Sequence, residues 1–261
     1  NWPEADSEHF RVGAHMESTC LRLSDAVYSS SACSIEWCEK FYGLTATDVP
    51  VLHTGVDTDV FCPLGAKETR PTIIFVGKIV ENKGVYELAT AAKRLLPDFP
   101  DLQLWMFGKG EPKVFERLNE IRRHALNADF LQLRGFIGRS ELPGALNRAH
   151  VFAAPSLYEG GPGFVYLEAM SCGLPVIACS GSGASEAVTP GQTGILIPPR
   201  DVSALIEALR SLLSDAELRD AVGGRARNWV LAHADSRLCM QRLAAFYESV
   251  IASCQQRGTL C

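Results

Sequence analysis

The sequence has 261 residues, 47% hydrophobic and 21% charged, the balance of a soluble globular chain and not of a disordered one. Its 25 Lys and Arg against 30 Asp and Glu leave a net charge of −5, which supplies no global basic field for nucleic acid. No apolar run approaches the ~20 residues of a membrane span.

At about 150 residues per domain the chain holds between one and two domains. The opening NWPEADSEHFRVGAH reads as neither a signal nor a transit peptide, so a chain starting at Asn1 is expected to have lost something upstream or to be a fragment. Residues 1–60 carry a polar helical pattern (MESTCLRLSDAV) and a second helix (CSIEWCEKFYG). VPVLHTGVDTDVF follows, in which Val49, Val51 and Leu52 predict a short strand running into a turn. Two helices and one strand cannot close a core, so 1–60 is expected to be the tail of an incomplete upstream domain plus a linker.

From residue 70 to about residue 213 the pattern changes. Apolar runs at TIIFV (72–76), LQLWMF (102–107), LQLRGF (131–136), VFAA (151–154), PVIAC (175–179) and ILI (195–197) alternate with helical segments. In VYELATAAKRLL, Val85, Leu88, Ala92 and Leu95 share one face. Near-continuous apolar strands between helices predict an α/β fold: a Rossmann-like, doubly wound parallel sheet covered on both sides. After Asp201, a plausible N-cap, the chain turns helical, and Leu243, Phe246, Tyr247 and Val250 share a face of the last helix, 236–261.

The nine cysteines are odd in number and include no C-x-x-C pair, so they read as small apolar residues in a reducing compartment; the cytoplasm is the expected location. Six histidines show no H-E-x-x-H pattern, and no metal is expected. His53 stands in a suggestive stretch but reads as structural.

In a doubly wound sheet ligands bind beyond the carboxyl ends of the strands. After VFAA comes PSLYEGGPGFVYLEAMSCGLPVIAC, with Pro162 where a helix would start and Gly173 where it would end. Gly160, Gly161 and Gly163 allow close backbone approach to a ligand, and the helix N-terminus behind them favours an anion. Glu168 is the sole acid on the helix and Glu159 flanks the glycines. On residue chemistry alone both read either as ligand groups or as solvated loop and helix-end carboxylates.

After TIIFV, Lys78 and Lys83 sit beside Gly77 and Gly84, a pair suited to a diphosphate or to plain solvent. Gly108 and Gly110 form a G-x-G without the third glycine of a dinucleotide fingerprint, and no P-loop pattern occurs. Phe136, Ile137 and Arg139 offer an apolar ledge for a base or simply a loop leading to a helix capped by Ser140. GSGAS at 181–185 lacks the order of a nucleophile elbow.

Taken together, PSLYEGGPGFVYLEAMSCGLPVIAC, GSGASEAV and GQTGILIPP resemble the donor-binding domain of family-four retaining glycosyltransferases of the GT-B fold. SDAVYSSS, HTGVDTDVFCP, FVGKIVENKGVYEL, LWMFGKGE and LRGFIGRSEL match further landmarks in order, so the likeness spans about residues 20–250. The resemblance implies a nucleoside-diphosphate sugar as donor and an acceptor of unspecified glycan, lipid or small-molecule class. It makes 61–235 the nucleotide-sugar domain and has the last helix pack towards the acceptor domain.

By the same resemblance Lys78 and Lys83 would hold the diphosphate, although the first position is more usually Arg. Glu168 would hold the ribose and Glu159 would lie near the transferred sugar. Gly77, Gly108, Gly160, Gly161, Gly163, Phe164 and Val165 would line the donor. Phe136, Ile137 and Arg139 would flank the base. The family's glutamates usually have seven residues between them; here there are eight.

Lys78, Lys83 and Glu159 are thereby the expected catalytic group. A non-catalytic nucleotide-sugar module completed by a partner chain, and a GT-B epimerase or phosphorylase, are the alternative readings. The acceptor half of such proteins can carry basic or apolar patches, which leaves room for peripheral association with the inner membrane face.

Overall fold

The structure is a computed structural model that describes residues 8–43 and 49–257, without the side chains of His9 and Phe10. The start of the opening stretch, part of the upstream tail (44–48) and Cys261 lie outside the described residues.

Six parallel strands form one sheet: β1 (Thr72–Val76), β2 (Gln103–Phe107), β3 (Leu131–Leu133), β4 (Val151–Ala153), β5 (Val176–Cys179) and β6 (Gly194–Ile197). Their order is β3-β2-β1-β4-β5-β6, so the chain reverses direction across the sheet between β1 and β4. Every residue of β1, β2, β4 and β5 is buried, which is why these runs are apolar without alternation.

Helices α3 (Val85–Leu95), α4 (Pro112–Arg123), α5 (Leu142–Arg148), α6 (Phe164–Ser171), α7 (Val202–Ser214) and α8 (Ala216–His233) connect and cover the strands. In α3 the predicted face, Val85, Leu88, Ala92 and Leu95, is fully buried. Asp201 caps α7 by accepting from the N–H of Ala204 at 2.9 Å. From Tyr166 to Ser171 α6 is buried on all sides and lies inside the domain.

Outside the sheet lie α1 (Glu8–Leu23), α2 (Ala32–Tyr42) and α9 (Ser236–Arg257). Only Cys239 and Cys254 of α9 are buried; Phe246 and Tyr247 meet the ring of Tyr28 at centroid separations of 5.6 and 6.3 Å. Val56 and Phe61 belong to the sheet domain's core, and Val56 exchanges backbone hydrogen bonds with Ala234 and Ser236 at 2.9 Å. Among the described residues no helix is long and apolar enough to cross a membrane, and the described cysteines are all free.

Four local expectations are corrected. LQLRGF stops being strand at Leu133: Arg134 still donates to Met106, but Gly135 at φ +69° turns the chain away. Val49, Val51 and Leu52 form no strand, because Val51 makes only an isolated bridge to Ser29. Ser140 does not cap α5; Glu141 precedes it in helical conformation and turns its carboxylate back to the N–H of Gly138 at 3.3 Å. The helix after the glycine run starts at Phe164, with Gly163 rather than Pro162 at its threshold.

One half-buried histidine makes the fold sensitive to acid. His150 accepts from the N–H of Thr72 through Nδ1 at 3.1 Å, and burial together with nearby Arg219 and Lys67 lowers its pKa to about 4. Between pH 6.5 and about 4 the unfolded chain therefore binds a proton that the folded one refuses, so stability falls with pH across that window. Thermal midpoints of wild type and His150→Gln should converge as pH drops through it; parallel profiles would contradict this.

Candidate functional site

The point where strand order reverses, between the carboxyl ends of β1 and β4, brings Lys83 and Glu159 together. Leu157, after β4, donates its N–H to the Asn82 carbonyl at 2.9 Å and ties the two turns together. Beside that tie Lys83 Nζ meets Glu159 Oε1 at 2.7 Å, with side-chain exposures of 26% and 16%. A pair so sheltered retains more of its Coulomb attraction than a surface pair and holds the ammonium at the mouth of the turn.

Gly163 adopts φ +70°, a conformation that L side chains rarely take, and this lets the chain enter α6 directly from the glycine run. No side chain caps that end of α6, so the first N–H groups of the helix, at Phe164 and Val165, are left for a ligand or water. Within α6, Glu168 is 3% exposed and accepts from Arg139 Nη1 at 3.2 Å. Burial raises its pKa, against the opposing pull of the Arg139 guanidinium. That guanidinium also lies 5.4 Å from the centre of the Phe61 ring, while most of the Arg139 side chain stays in solvent.

Gly108 is packed so closely on β1's exit that a Cβ there would stand 1.7 Å from the Gly77 carbonyl oxygen. This approach seats the two G-K turns side by side, with Gly77 donating to Phe107 and Ile79 to Lys109. Phe136 is exposed beneath Lys109, whose Nζ is 5.5 Å from the ring centre, and Ile137 packs on the core. Both line a cleft of about 450 Å³ with Trp105, Phe107 and Arg134.

Lys78 parts from Lys83. It makes no ion pair among the described residues and lines a cleft of about 600 Å³ with Asn82, Leu157 and Arg200. Arg200, at φ +63°, is the one non-glycine residue with positive φ among those described. The described residues hold no group of three His, Cys, Asp or Glu side chains that could take a metal.

Sequence reasoning missed Ser31, Ser34 and Glu186. Ser31 and Ser34 bind the carbonyl of Gly160, and Glu186 receives the first N–H groups of α2. A serine three residues before another polar group signals a helix start, but nothing local announces a partner 129 residues away. His53 Nδ1 faces the Ser30 carbonyl at 3.1 Å and lies 3.9 Å from Glu186 Oε2.

The family model described as "Glycosyl transferases group 1" matches residues 58–229. The chain belongs to the glycosyl transferases group 1 family. Among curated members, glycogen synthase of Mycobacterium tuberculosis (strain CDC 1551 / Oshkosh) is 32% identical over 220 residues, covering 81% of this chain and 51% of that protein. A GDP-mannose-dependent monoacylated alpha-(1-6)-phosphatidylinositol monomannoside mannosyltransferase of Corynebacterium glutamicum is 34% identical over 219 residues, or 76% of this chain and 55% of that one.

Sucrose-phosphate synthase from Thermosynechococcus elongatus superposes with a TM-score of 0.82 at 25% identity, covering 95% of this chain and 64% of its own. Anabaena HepE in complex with UDP-glucose superposes equally well, at 0.82, with 20% identity over 93% of this chain and 69% of its own. The glycosyl transferases group 1 chain thus has the α/β architecture of a GT-B half with additional C-terminal helices. It spans about half the length of the curated relatives it matches.

Proposed function

We propose that this chain carries the donor half of a retaining glycosyltransferase, which moves a sugar from a nucleoside-diphosphate sugar to an acceptor hydroxyl. The observation that carries the reading is the Lys83–Glu159 pair beside the uncapped start of α6, the helix that also holds the buried carboxylate of Glu168. In this reading the diphosphate lies against the α6 N-terminus and Lys83, with Lys78 entering from its cleft. Glu168 receives the ribose hydroxyls once Arg139 moves aside, and Phe136 and Ile137 flank the base. Glu159 lies against the transferred sugar. HepE's complexes with UDP and UDP-glucose support a donor of this class.

The bond between the anomeric carbon and the diphosphate oxygen breaks, and its electron pair goes to the diphosphate. Lys83 and the helix N-terminus stabilise that charge as it develops. The acceptor oxygen forms the new bond from the same face, and its proton passes to the departing diphosphate. No step needs a protein nucleophile.

Titration calorimetry with UDP, GDP, UDP-glucose and GDP-mannose tests the donor reading. Saturable binding of at least one nucleotide and its sugar is expected, and no binding of any would refute it. Because acceptor recognition is assigned to a second domain, residues 1–261 alone are expected to bind donor without transfer. Robust turnover by this chain would overturn that division.

A further inference from the structure

The glycine turn after β4 is fastened from outside the sheet domain. The Gly160 carbonyl oxygen has two lone pairs, and both are occupied: Ser31 Oγ donates at 2.5 Å and Ser34 Oγ at 2.6 Å. Ser31 Oγ also accepts from the N–H of Ser34 at 3.0 Å and lies 2.8 Å from Ser34 Oγ, so the two hydroxyl protons are shared over three close oxygen contacts. The preceding carbonyl, of Glu159, accepts from the N–H of Gly183 at 2.8 Å.

The fastening is itself braced. The N–H groups of Ala32 and Cys33 donate to the two carboxylate oxygens of Glu186 at 3.1 and 3.0 Å, a negative group at the positive end of α2. Glu186 closes the short 3₁₀ turn Gly183–Glu186, which also holds Glu159. Three segments, 31–34, 159–161 and 183–186, therefore lock one another, and Ser31 at their centre is 0% exposed.

We infer that Ser31 and Ser34 are positioning residues of the proposed donor site, acting on it through the Gly160 carbonyl. The inference rests on the donor reading above. A run containing Gly160, Gly161 and Gly163 has more backbone freedom to lose than any other turn of this length. It must nevertheless hold the Glu159 carboxylate against Lys83 and aim the start of α6. Rotation of the Gly160–Gly161 peptide would break both hydroxyl bonds at once, so the two serines hold the turn in one arrangement before ligand arrives. Binding then costs less ordering of the turn.

The test compares wild type, Ser34→Ala, Ser34→Thr and the double variant Ser31→Ala/Ser34→Ala. Ser34→Ala leaves the α2 N-cap on Ser31 intact, and it decides the matter should the double variant not fold. Calorimetry uses UDP, GDP, UDP-glucose and GDP-mannose, well below the thermal midpoint of each variant; NMR follows the carbonyl carbon of Gly160.

One lost hydroxyl bond should weaken sugar-nucleotide binding about two- to tenfold, and the double variant more than tenfold. Ser34→Thr should restore binding, and the Gly160 carbonyl resonance should move upfield in the alanine variants. Wild-type affinity in a folded Ser34→Ala, an unmoved carbonyl resonance or failure of Ser34→Thr to restore binding would each overturn the inference. A wild type that binds none of the four probes refutes the donor reading itself, a different result from wild-type binding that the serine variants leave unchanged.

Discussion

Lys83→Ala should lower sugar transfer by the active protein about 10²- to 10³-fold, the usual cost of removing one well-placed charge stabiliser. The loss should fall on kcat more than on donor affinity, because the charge on the departing diphosphate is largest in the transition state. The substitution has a second consequence. Glu159, with a side chain only 16% exposed, would be left beside the turn without its cation. Removing one partner of a sheltered pair strands the other, so the thermal midpoint should drop as well. Lys83→Ala/Glu159→Gln should regain part of that midpoint and none of the turnover. Steady-state kinetics and a thermal melt of the two variants check both statements, and an unchanged kcat in Lys83→Ala would end the assigned role.

Glu168→Gln should make the protein more stable at neutral pH and a worse ligand-binding protein. Burial lifts the pKa of Glu168 above the ordinary 4.5 despite Arg139, so ionising this carboxyl is harder in the folded chain than in the unfolded one. The folded state then holds a proton that the unfolded chain has already released, and stability is lost as pH rises through that window. The amide carries no such penalty. Its gain in thermal midpoint over wild type should be present at pH 7 and shrink as pH falls towards 4.5.

Donor affinity should move the opposite way, by on the order of 10- to 100-fold, the scale of a hydrogen bond to a charged group. Such opposition marks a buried charge kept for function and not for folding. Equal donor affinity in Glu168→Gln and wild type, by calorimetry, would exclude Glu168 from the site.

Much of this was legible in the linear sequence because it depends on local periodicity. Buried parallel strands need apolar side chains on both faces, so TIIFV and PVIAC could hardly be anything else. The turn at 159–168 was legible for a related reason: glycines, a helix start and an acid amid apolar neighbours are local facts. What failed was also local, decided by backbone conformation and a three-residue contact that periodicity does not register. Gly135 ended β3 early through its left-handed backbone, and Glu141, folding back on Gly138, displaced Ser140 as the residue before α5.

Two lysines five positions apart looked equivalent in the sequence. Tertiary structure separates them, because the turn after β1 directs Lys83 to Glu159, 76 residues on, and leaves Lys78 in the cleft beside Arg200. The serines on Gly160 are a stronger case, since a polar residue at a helix start is ordinarily satisfied by its own helix.

Alternation of apolar runs and helical patterns thus determined the doubly wound sheet, and with it the edge at which sheets of this kind receive ligands. Motif order determined the family. Which side chains meet at that edge was decided only by the chain's path, because hydrogen bonds and ion pairs reach about 3 Å and carry no signature along the 76 to 129 residues between partners.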